Sequence, residues 1–211
     1  MTFMKQFRKE FRRFSLSESD TYTNPFDQFN KWFQEAAGFN ISEPNAMALA
    51  TAGVNGMPTI RIVLLKEIKN DGFIFFTNYN SRKAKQISEN NQAALLFFWE
   101  ALERQIRIEG MIEKTNKTTS DDYFHSRTRE SQAGSIVSKQ SEIIESRESL
   151  EDEFKNLLNS DIQQLERPKY WGGYKLYPKL FEFWQGREHR LHDRIQYRLD
   201  DGKWIRERLA P

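Results

Sequence analysis

The 211-residue chain contains no cysteine. That removes disulfides, thiolate nucleophiles and sulfur-ligated metals together. No apolar run approaches the roughly 18 residues that a membrane-spanning helix needs. The first 14 residues alternate Phe with Lys and Arg, and lack the apolar stretch and cleavage site of a secretory signal. A soluble, cytoplasmic protein is therefore expected. Charge of one sign is missing too: Lys+Arg total 32 against Asp+Glu 30, for a formal net charge of +2. That balance speaks against a general nucleic-acid binder. Gly-x-Gly-x-x-Gly, Walker-type loops and Gly-x-Ser-x-Gly elbows are absent, so a bound nucleotide must be held by side chains and helix ends. Histidine is scarce, with three residues. His189 and His192 are spaced to chelate a metal from a helix but not from a strand, and no metal site is expected.

Aromatic residues are plentiful at 14%, enough for a large core or for stacking on a flat ring system. The length suits one full domain. Residues 1–23 read as a charged N-terminal arm, expected to be mobile, with Phe3, Phe7, Phe11 and Phe14 at helical spacing. Residues 24–211 read as a single domain. Asn24 and Pro25 open a helix that runs to Gly38, with Asn as N-cap and Gly as C-cap. Strands over 46–51 and 58–66 flank Gly53-Val54-Asn55-Gly56, a hairpin signal. Asn70-Asp71-Gly72 turns into a strand at 73–77. A helix at 81–90, a strand at 93–99 and an alternating strand at 104–114 follow. Residues 117–158 read as mostly helical. Residues 171–209 read as short strands broken by Gly172-Gly173, Pro178, Gly186 and Asp201-Gly202. Hairpins with interspersed helices predict an α+β, mainly β domain on an antiparallel sheet or small barrel. Regular βα alternation, the mark of a doubly wound parallel sheet, is missing.

The residues that carry chemistry are concentrated in a few segments. Arg187 to Arg194 hold two histidines and three arginines. If this stretch is extended, Arg190, His192 and Arg194 share one face, a row of donors suited to phosphate or carboxylate. A solvated strand face is the plain alternative. Arg61 and Lys66 close the two ends of an apolar strand. Arg82 and Lys83 fall in the first turn of a helix that Ser81 can cap. Cations there oppose the helix dipole unless an anion compensates, and such a terminus is a natural phosphate seat. Gln105 shares a strand face with Arg107 and Glu109, where an amide can satisfy the edge of a heterocycle. Tyr123, Arg127 and Ser131 recur at i, i+4, i+8, a stripe of donors if the helix is continuous. Two anion-binding groups result. One is Arg61, Arg82 and Lys83; the other is Lys66, Tyr123, Arg127 and Ser131 with the Arg190/His192 face. Together they suggest a phosphorylated cofactor beside a phosphorylated substrate.

These segments resemble the pyridoxine (pyridoxamine) 5′-phosphate oxidase family from about Asn45 to Pro211. The likeness rests on Arg-x-Val-Leu-Leu-Lys at 61–66, Phe-Thr-Asn-Tyr-x-Ser-Arg-Lys at 76–83 and Gln-x-Arg-x-x-Gly at 105–110. Tyr-Phe-x-Ser-Arg at 123–127, Ser-Gln-x-Gly at 131–134 and Gln-Ser at 140–141 continue it. Phe-Trp-Gln-Gly at 183–186, Arg-Leu-His-Asp-Arg at 190–194 and the terminal Arg-Leu-Ala-Pro complete it. The resemblance implies an FMN-binding split β-barrel with peripheral helices, acting as a homodimer with flavin at the subunit interface. Implied FMN contacts are Arg61, Ile62, Val63, Leu64, Leu65 and Lys66, then Phe76, Thr77, Arg82 and Lys83. Gln105, Gln140, Ser141, Trp184 and Arg194 complete that set. Implied substrate contacts are Lys66, Tyr123, Arg127, Ser131, Arg190, Leu191 and His192. Of these, Arg190 and His192 would be the catalytic pair that orients and polarises the substrate. The implied reaction oxidises pyridoxamine or pyridoxine 5′-phosphate to pyridoxal 5′-phosphate. Dioxygen would accept the electrons, giving hydrogen peroxide, and the amine would also release ammonia. Nucleic acid, membrane and metal play no part in it.

Three positions depart from the family's usual pattern. Phe76 stands where tyrosine is frequent. Thr128 replaces a common proline and leaves the helix break open. Phe11 occupies a place in the arm that often carries tyrosine, so an arm acting as a lid would lack that hydroxyl. Three alternatives remain at this point: a nicotinamide-driven flavin reductase of the same fold, a non-catalytic carrier of flavin or pyridoxal phosphate, and a nucleic-acid-binding barrel.

Overall fold

The structure is a computed structural model that describes residues 10–39, 41–69 and 71–211. Phe3 and Phe7 of the arm, and Asn70 of the second turn, lie outside the described residues. Nine antiparallel strands are described: β1 (Ala46–Ala52), β2 (Pro58–Leu64), β3 (Glu67–Ile68), β4 (Phe73–Asn78), β5 (Gln92–Trp99), β6 (Arg104–Lys114), β7 (Trp171–Gln185), β8 (Asp193–Asp200) and β9 (Lys203–Leu209). Five α-helices accompany them: α1 (Pro25–Gly38), α2 (Arg82–Glu89), α3 (Lys117–His125), α4 (Arg129–Val137) and α5 (Arg147–Leu158). The strands run in the order β2-β1-β5-β6-β7-β4-β3, with β8 on β7 and β9 on β8.

Strand β7 organises the sheet. One of its edges pairs with β6 along nearly the whole length. The other pairs with β4 through its first part, up to Leu176, and with β8 from Leu180 onward. The sheet therefore splits along one edge and curls into a half-barrel. The short strands expected on either side of Gly172-Gly173 and Pro178 are instead one 15-residue strand. The proline is absorbed where pairing shifts between Glu109 and Gly110, since a bulge tolerates a missing donor. Gly110 is required at that point: a Cβ would lie 2.0 Å from the Tyr177 carbonyl oxygen.

Helix α1 closes the core. Asn24 Oδ1 accepts from Phe26 N and Pro25 takes the first position, the arrangement its sequence predicts. Phe26, Phe29 and Trp32 pack on Phe73, Phe97, Phe181 and Phe183 of the sheet. Each buried ring contributes about 1.5–3 kcal/mol. The helix ends otherwise than expected. Gly38 is its last residue and Phe39 follows at φ −95°, so no left-handed glycine closes it.

Three further expectations change. Residues 10–17 are irregular, not helical, and the Glu103 carboxylate holds this part of the arm by accepting from Arg12 N and Arg13 N. The 117–158 segment is three helices, because Thr128 accepts from Ser131 N and caps α4; the threonine does break the helix. The stretch before β8 is not extended. Glu188–Arg190 form a 3₁₀ turn, with His189 at φ 54° and Arg190 at φ 63°. Arg190, His192 and Arg194 therefore do not share a strand face. No described helix is long and apolar enough to cross a membrane.

Gly110→Ala should lower the free energy of unfolding by about 3 kcal/mol or more, because rigid backbone must move. Gly38 has open space around its Cβ position, so Gly38→Ala should be neutral or stabilising by roughly 0.5–1 kcal/mol. Urea titrations of both variants, followed by tryptophan fluorescence, check the contrast.

Candidate functional site

A cavity of about 1010 Å³ opens where β2, the end of β4, the start of α2 and the α3–α4 break meet. Arg61, Ile62, Val63, Leu64 and Lys66 line it from β2 and the residues just beyond. Phe76, Thr77, Arg82 and Lys83 come from β4 and α2, and Tyr123, Arg127 and Ser131 from the helical segment. Gln140 and Ser141 close it from the loop after α4. Leu65 does not border the cavity, because its side chain is buried in the main core.

The cavity is lined by five cations. Among the described residues, none of Arg61, Lys66, Arg82, Lys83 and Arg127 forms an ion pair with a carboxylate. Lys83 is 8% exposed. Its Nζ donates to Thr77 Oγ1 at 3.0 Å, Ser81 Oγ at 3.2 Å and Gln140 Oε1 at 2.7 Å, all neutral acceptors. Burial, helped by nearby Arg61, pushes its pKa down to about 8. Burial and then Arg82 lower Arg61, and burial lowers Arg127. Each downward shift says that the charged form lacks compensation here. Ser81 does not cap α2 with its side chain; its hydroxyl donates to the Asn78 carbonyl at 2.7 Å. The first-turn cations of α2 thus face a helix end without a side-chain cap.

An aromatic wall flanks the charges. The rings of Phe76 and Tyr123 stack at 3.9 Å, with Trp171 5.6 Å from Phe76. The Arg127 guanidinium lies over Trp171 at 4.9 Å and donates to Ser135 Oγ at 2.7 Å. Tyr123, Arg127 and Ser131 do converge, but across the break between α3 and α4 and not as a stripe on one helix. Trp171 has no place in the sequence reading. Its signal was the adjacent Gly172-Gly173 pair, which marks close approach: a Cβ on Gly172 would meet the Tyr79 hydroxyl at 2.3 Å.

A second group lies apart. Gln105, Trp184 and Arg194 stand in register across β6, β7 and β8. The His192 ring is 4.6 Å from Trp184, and Phe11 packs against both rings. Neither these residues nor Arg190 and Leu191 border the cavity. The expected second anion group is therefore split: Lys66, Tyr123, Arg127 and Ser131 join Arg61, Arg82 and Lys83, while Arg190 and His192 sit elsewhere. Arg194 Nε donates to Glu182 Oε1 at 2.8 Å and its Nη1 to Ala210 O at 2.7 Å. His192 Nδ1 accepts from Arg187 N at 3.1 Å, which leaves the proton of the neutral ring on Nε2. Burial, then Arg190, hold its pKa below the ordinary 6.5. Left-handed backbone at two successive non-glycine residues costs about 1 kcal/mol or more each, and it turns Arg190 and Leu191 out to solvent.

Residues 33–160 match the family model described as pyridoxamine 5′-phosphate oxidase. Residues 171–211 match the pyridoxine 5′-phosphate oxidase C-terminal dimerisation region, which contains Trp184 and the whole 190–194 segment. A curated relative from Trichormus variabilis, named pyridoxine/pyridoxamine 5′-phosphate oxidase, is 49% identical over 97% of this chain and 96% of its own length. One of the same name from Thermosynechococcus vestitus is 46% identical over 100% of both chains. The crystal structure of PhzG from Burkholderia lata, in complex with tetrahydrophenazine-1-carboxylic acid, superposes with a TM-score of 0.90 at 30% identity, covering 96% of this chain and 100% of that one. A pyridoxamine 5′-phosphate oxidase-related, FMN-binding protein from Nostoc punctiforme shares the split-barrel fold, with a TM-score of 0.71 at 17% identity over 87% of this chain and 97% of its own. With matches covering both its barrel and its C-terminal strands, and near-half identity to curated relatives along its length, this chain belongs to the pyridoxine/pyridoxamine 5′-phosphate oxidase family of oxidoreductases.

Proposed function

We propose that this protein is an FMN-dependent oxidase that converts pyridoxamine 5′-phosphate or pyridoxine 5′-phosphate to pyridoxal 5′-phosphate, with dioxygen as electron acceptor. The observation that carries the reading is one cavity holding Arg61, Lys66, Arg82, Lys83 and Arg127 with no carboxylate partner among the described residues. Clustered, partly buried cations without counter-ions are costly, and anionic ligands offset that cost. The donors fall into two sets. Arg61, Arg82 and Lys83, with Thr77, Gln140 and Ser141, gather at the N-terminus of α2 and suit the FMN phosphate. Tyr123, Arg127 and Ser131 gather at the α3–α4 break and suit the substrate phosphate, and Lys66 serves both. Strand β2 ends the sheet, so the outer backbone groups of residues 61–64 are free to meet the polar edge of a flavin ring.

The two-electron oxidation at C4′ and the reduction of dioxygen to hydrogen peroxide are chemistry that FMN supplies when bound. With the alcohol, loss of two hydrogens gives the aldehyde directly. With the amine, the same loss gives an imine, which water hydrolyses to the aldehyde with release of ammonia. Gln105, Trp184 and Arg194, with Arg190, Leu191 and His192, would complete the site from a second copy of the chain, placing flavin at the homodimer interface. Two observations support this: they lie outside the cavity, and all but Gln105 lie within the segment matched as a dimerisation region. Neutral His192, with Nδ1 already accepting from Arg187, offers only its Nε2–H. It would therefore donate to the substrate, while Arg190 adds charge and orients it. A nicotinamide-driven flavin reductase would leave Tyr123, Arg127 and Ser131 without a ligand.

Purified protein should be yellow with bound flavin and, under air, form pyridoxal 5′-phosphate and hydrogen peroxide from pyridoxamine 5′-phosphate. Failure to take up FMN supplied in excess rules the reading out. Binding should also follow Lys83. A phosphate favours its charged form, so FMN affinity should hold steady from about pH 7, where the phosphate is a dianion, to about pH 8 and weaken as pH rises beyond it. Riboflavin, which lacks the phosphate, should show no such change in fluorescence titrations. Without the anion the sign for stability is opposite. The unfolded chain keeps the Lys83 proton up to 10.5, so stability should rise between about pH 8 and that value.

A site shared between copies makes a separate prediction. Lys83→Met and Arg190→Ala subunits, each inactive alone, should recover roughly a quarter of wild-type activity when mixed, since half the dimers then carry one intact site. No recovery after verified subunit exchange would place both halves in one chain. Arg190→Ala alone should lower kcat; a change confined to KM would remove its polarising role.

A further inference from the structure

A hydrogen-bond relay runs from the cavity wall into the fold behind it: Thr59 borders the cavity, whereas Thr51 and Gln86 stand behind it. Gln86 is buried on α2, one turn after Lys83, and does not border the cavity. Its Oε1 lies 2.8 Å from Thr51 Oγ1 on β1 and 2.6 Å from Thr59 Oγ1 on β2. The same two hydroxyl oxygens receive Arg61: Nη1 donates to Thr51 Oγ1 at 2.7 Å, and Nη2 donates to Thr59 Oγ1. Nη1 also donates to the Leu49 carbonyl at 2.9 Å.

Chemistry fixes the direction of every proton in this relay. A guanidinium has donors only, so both threonine oxygens must accept from Arg61. Each hydroxyl hydrogen then needs its own acceptor, and Gln86 Oε1 is the near one for both. The alternatives for Thr59, the Thr51 carbonyl and hydroxyl oxygens, are both at 3.4 Å. Two oxygens that close together match the side-by-side hydrogens of the Nη1–Nη2 edge. The Leu49 carbonyl takes the remaining Nη1 hydrogen. What is left over is Nε–H and the outer hydrogen on Nη2, which have no acceptor among the described residues. These two lie parallel on one edge, the fork that grips a phosphate with two bonds.

We propose that Gln86 is a positioning residue: acting through Thr51 and Thr59, it locks the Arg61 guanidinium so that its Nε–Nη2 edge is the one offered to the cofactor phosphate. This rests on the reading above, in which Arg61 meets that phosphate. Arg61 shares its surroundings with Arg82 and Lys83, whose charges repel it. A flexible guanidinium would swing away from them toward solvent before an anion arrived. The relay holds it in place against that repulsion, so less ordering remains to be done when the ligand binds.

The test compares Gln86→Met, which keeps the bulk and loses the acceptor, with Thr59→Val and Thr59→Ser. Affinities for FMN and riboflavin are measured by fluorescence titration, in the native and in an Arg61→Ala background. Gln86→Met and Thr59→Val should each weaken FMN about tenfold, the scale of one lost charge-assisted hydrogen bond. Riboflavin affinity should stay within about twofold, and Thr59→Ser should behave as wild type. In the Arg61→Ala background, Gln86→Met should add nothing further. Equal loss for FMN and riboflavin, or an undiminished loss without Arg61, overturns the positioning role. If Gln86→Met does not fold, Thr59→Val carries the same contrast from the edge strand. Failure of the underlying reading looks different: Arg61→Ala alone would then leave FMN affinity unchanged, and the proposal would go with it.

Discussion

A strand edge can serve only one neighbour at each point along its length. Strand β7 gives its second edge first to β4 and then to β8, and the rest of the molecule follows from that division. The β4 branch leads through Asn78 into α2 and sets Thr77 and Lys83 around one cavity. The β8 branch carries Trp184, His192 and Arg194 on a separate surface. The two branches do not pair with each other, and β6 takes nearly the whole opposite edge of β7. The curled sheet therefore carries two separate groups of these residues, one around the cavity and one outside it.

The charge distribution follows the same division. On the β4 side the cations stand unneutralised, and burial depresses Arg61, Lys83 and Arg127 in step. On the β8 side Arg107 and Arg194 are already committed. The Glu182 carboxylate, nearly buried, meets Arg107 at 2.7 Å and Arg194 at 2.8 Å. Breaking such a pair leaves a bare charge in a poorly solvated place, so this side is built to hold its shape. The contrast separates a cluster of cations without carboxylate partners among the described residues from one whose Arg107 and Arg194 are paired beside aromatic and imidazole rings. It also explains why balanced overall charge said little: the protein is neutral on average and strongly positive at one place.

How much of this was legible in the sequence varies by element. Helix α1 was, because Asn24-Pro25 and the Phe26/Phe29/Trp32 periodicity are local signals with local causes. So was the hairpin of β1 and β2. The cations at 61, 66, 82 and 83 stood out as candidates: Arg61 and Lys66 bracket an apolar strand, and Arg82 and Lys83 oppose the helix dipole from its first turn. Strand β7 was misjudged because Gly172-Gly173 and Pro178 are turn residues by propensity. Their role is tertiary: the glycines admit Tyr79 and Phe76 at close range, and the proline sits opposite a bulge. The 187–192 segment was misjudged for the opposite reason. Its alternating pattern fits a strand, but His189 and Arg190 adopt left-handed backbone that no pattern announces. Thr59 and Gln86 were invisible, since their importance lies in what the fold brings beside them.

That last point bears on how an edge strand can serve as a binding surface at all. Strand β2 lies at the end of the sheet, with Ile60 and Ile62 exposed and Arg61 turned between them toward the cavity. An edge strand is held on one side only, and its long side chains ordinarily sample several rotamers. The bonds from Arg61 to Leu49 and Thr51 tie it back across the β1–β2 ladder, and Gln86 ties Thr51 and Thr59 to α2. Helix, inner strand and edge strand are thereby joined at one guanidinium. The outer backbone groups of β2 stay free to meet a ligand, while the cation among them is fixed from behind. An interior strand would have fixed the arginine by packing, but its backbone would already be spent on neighbours.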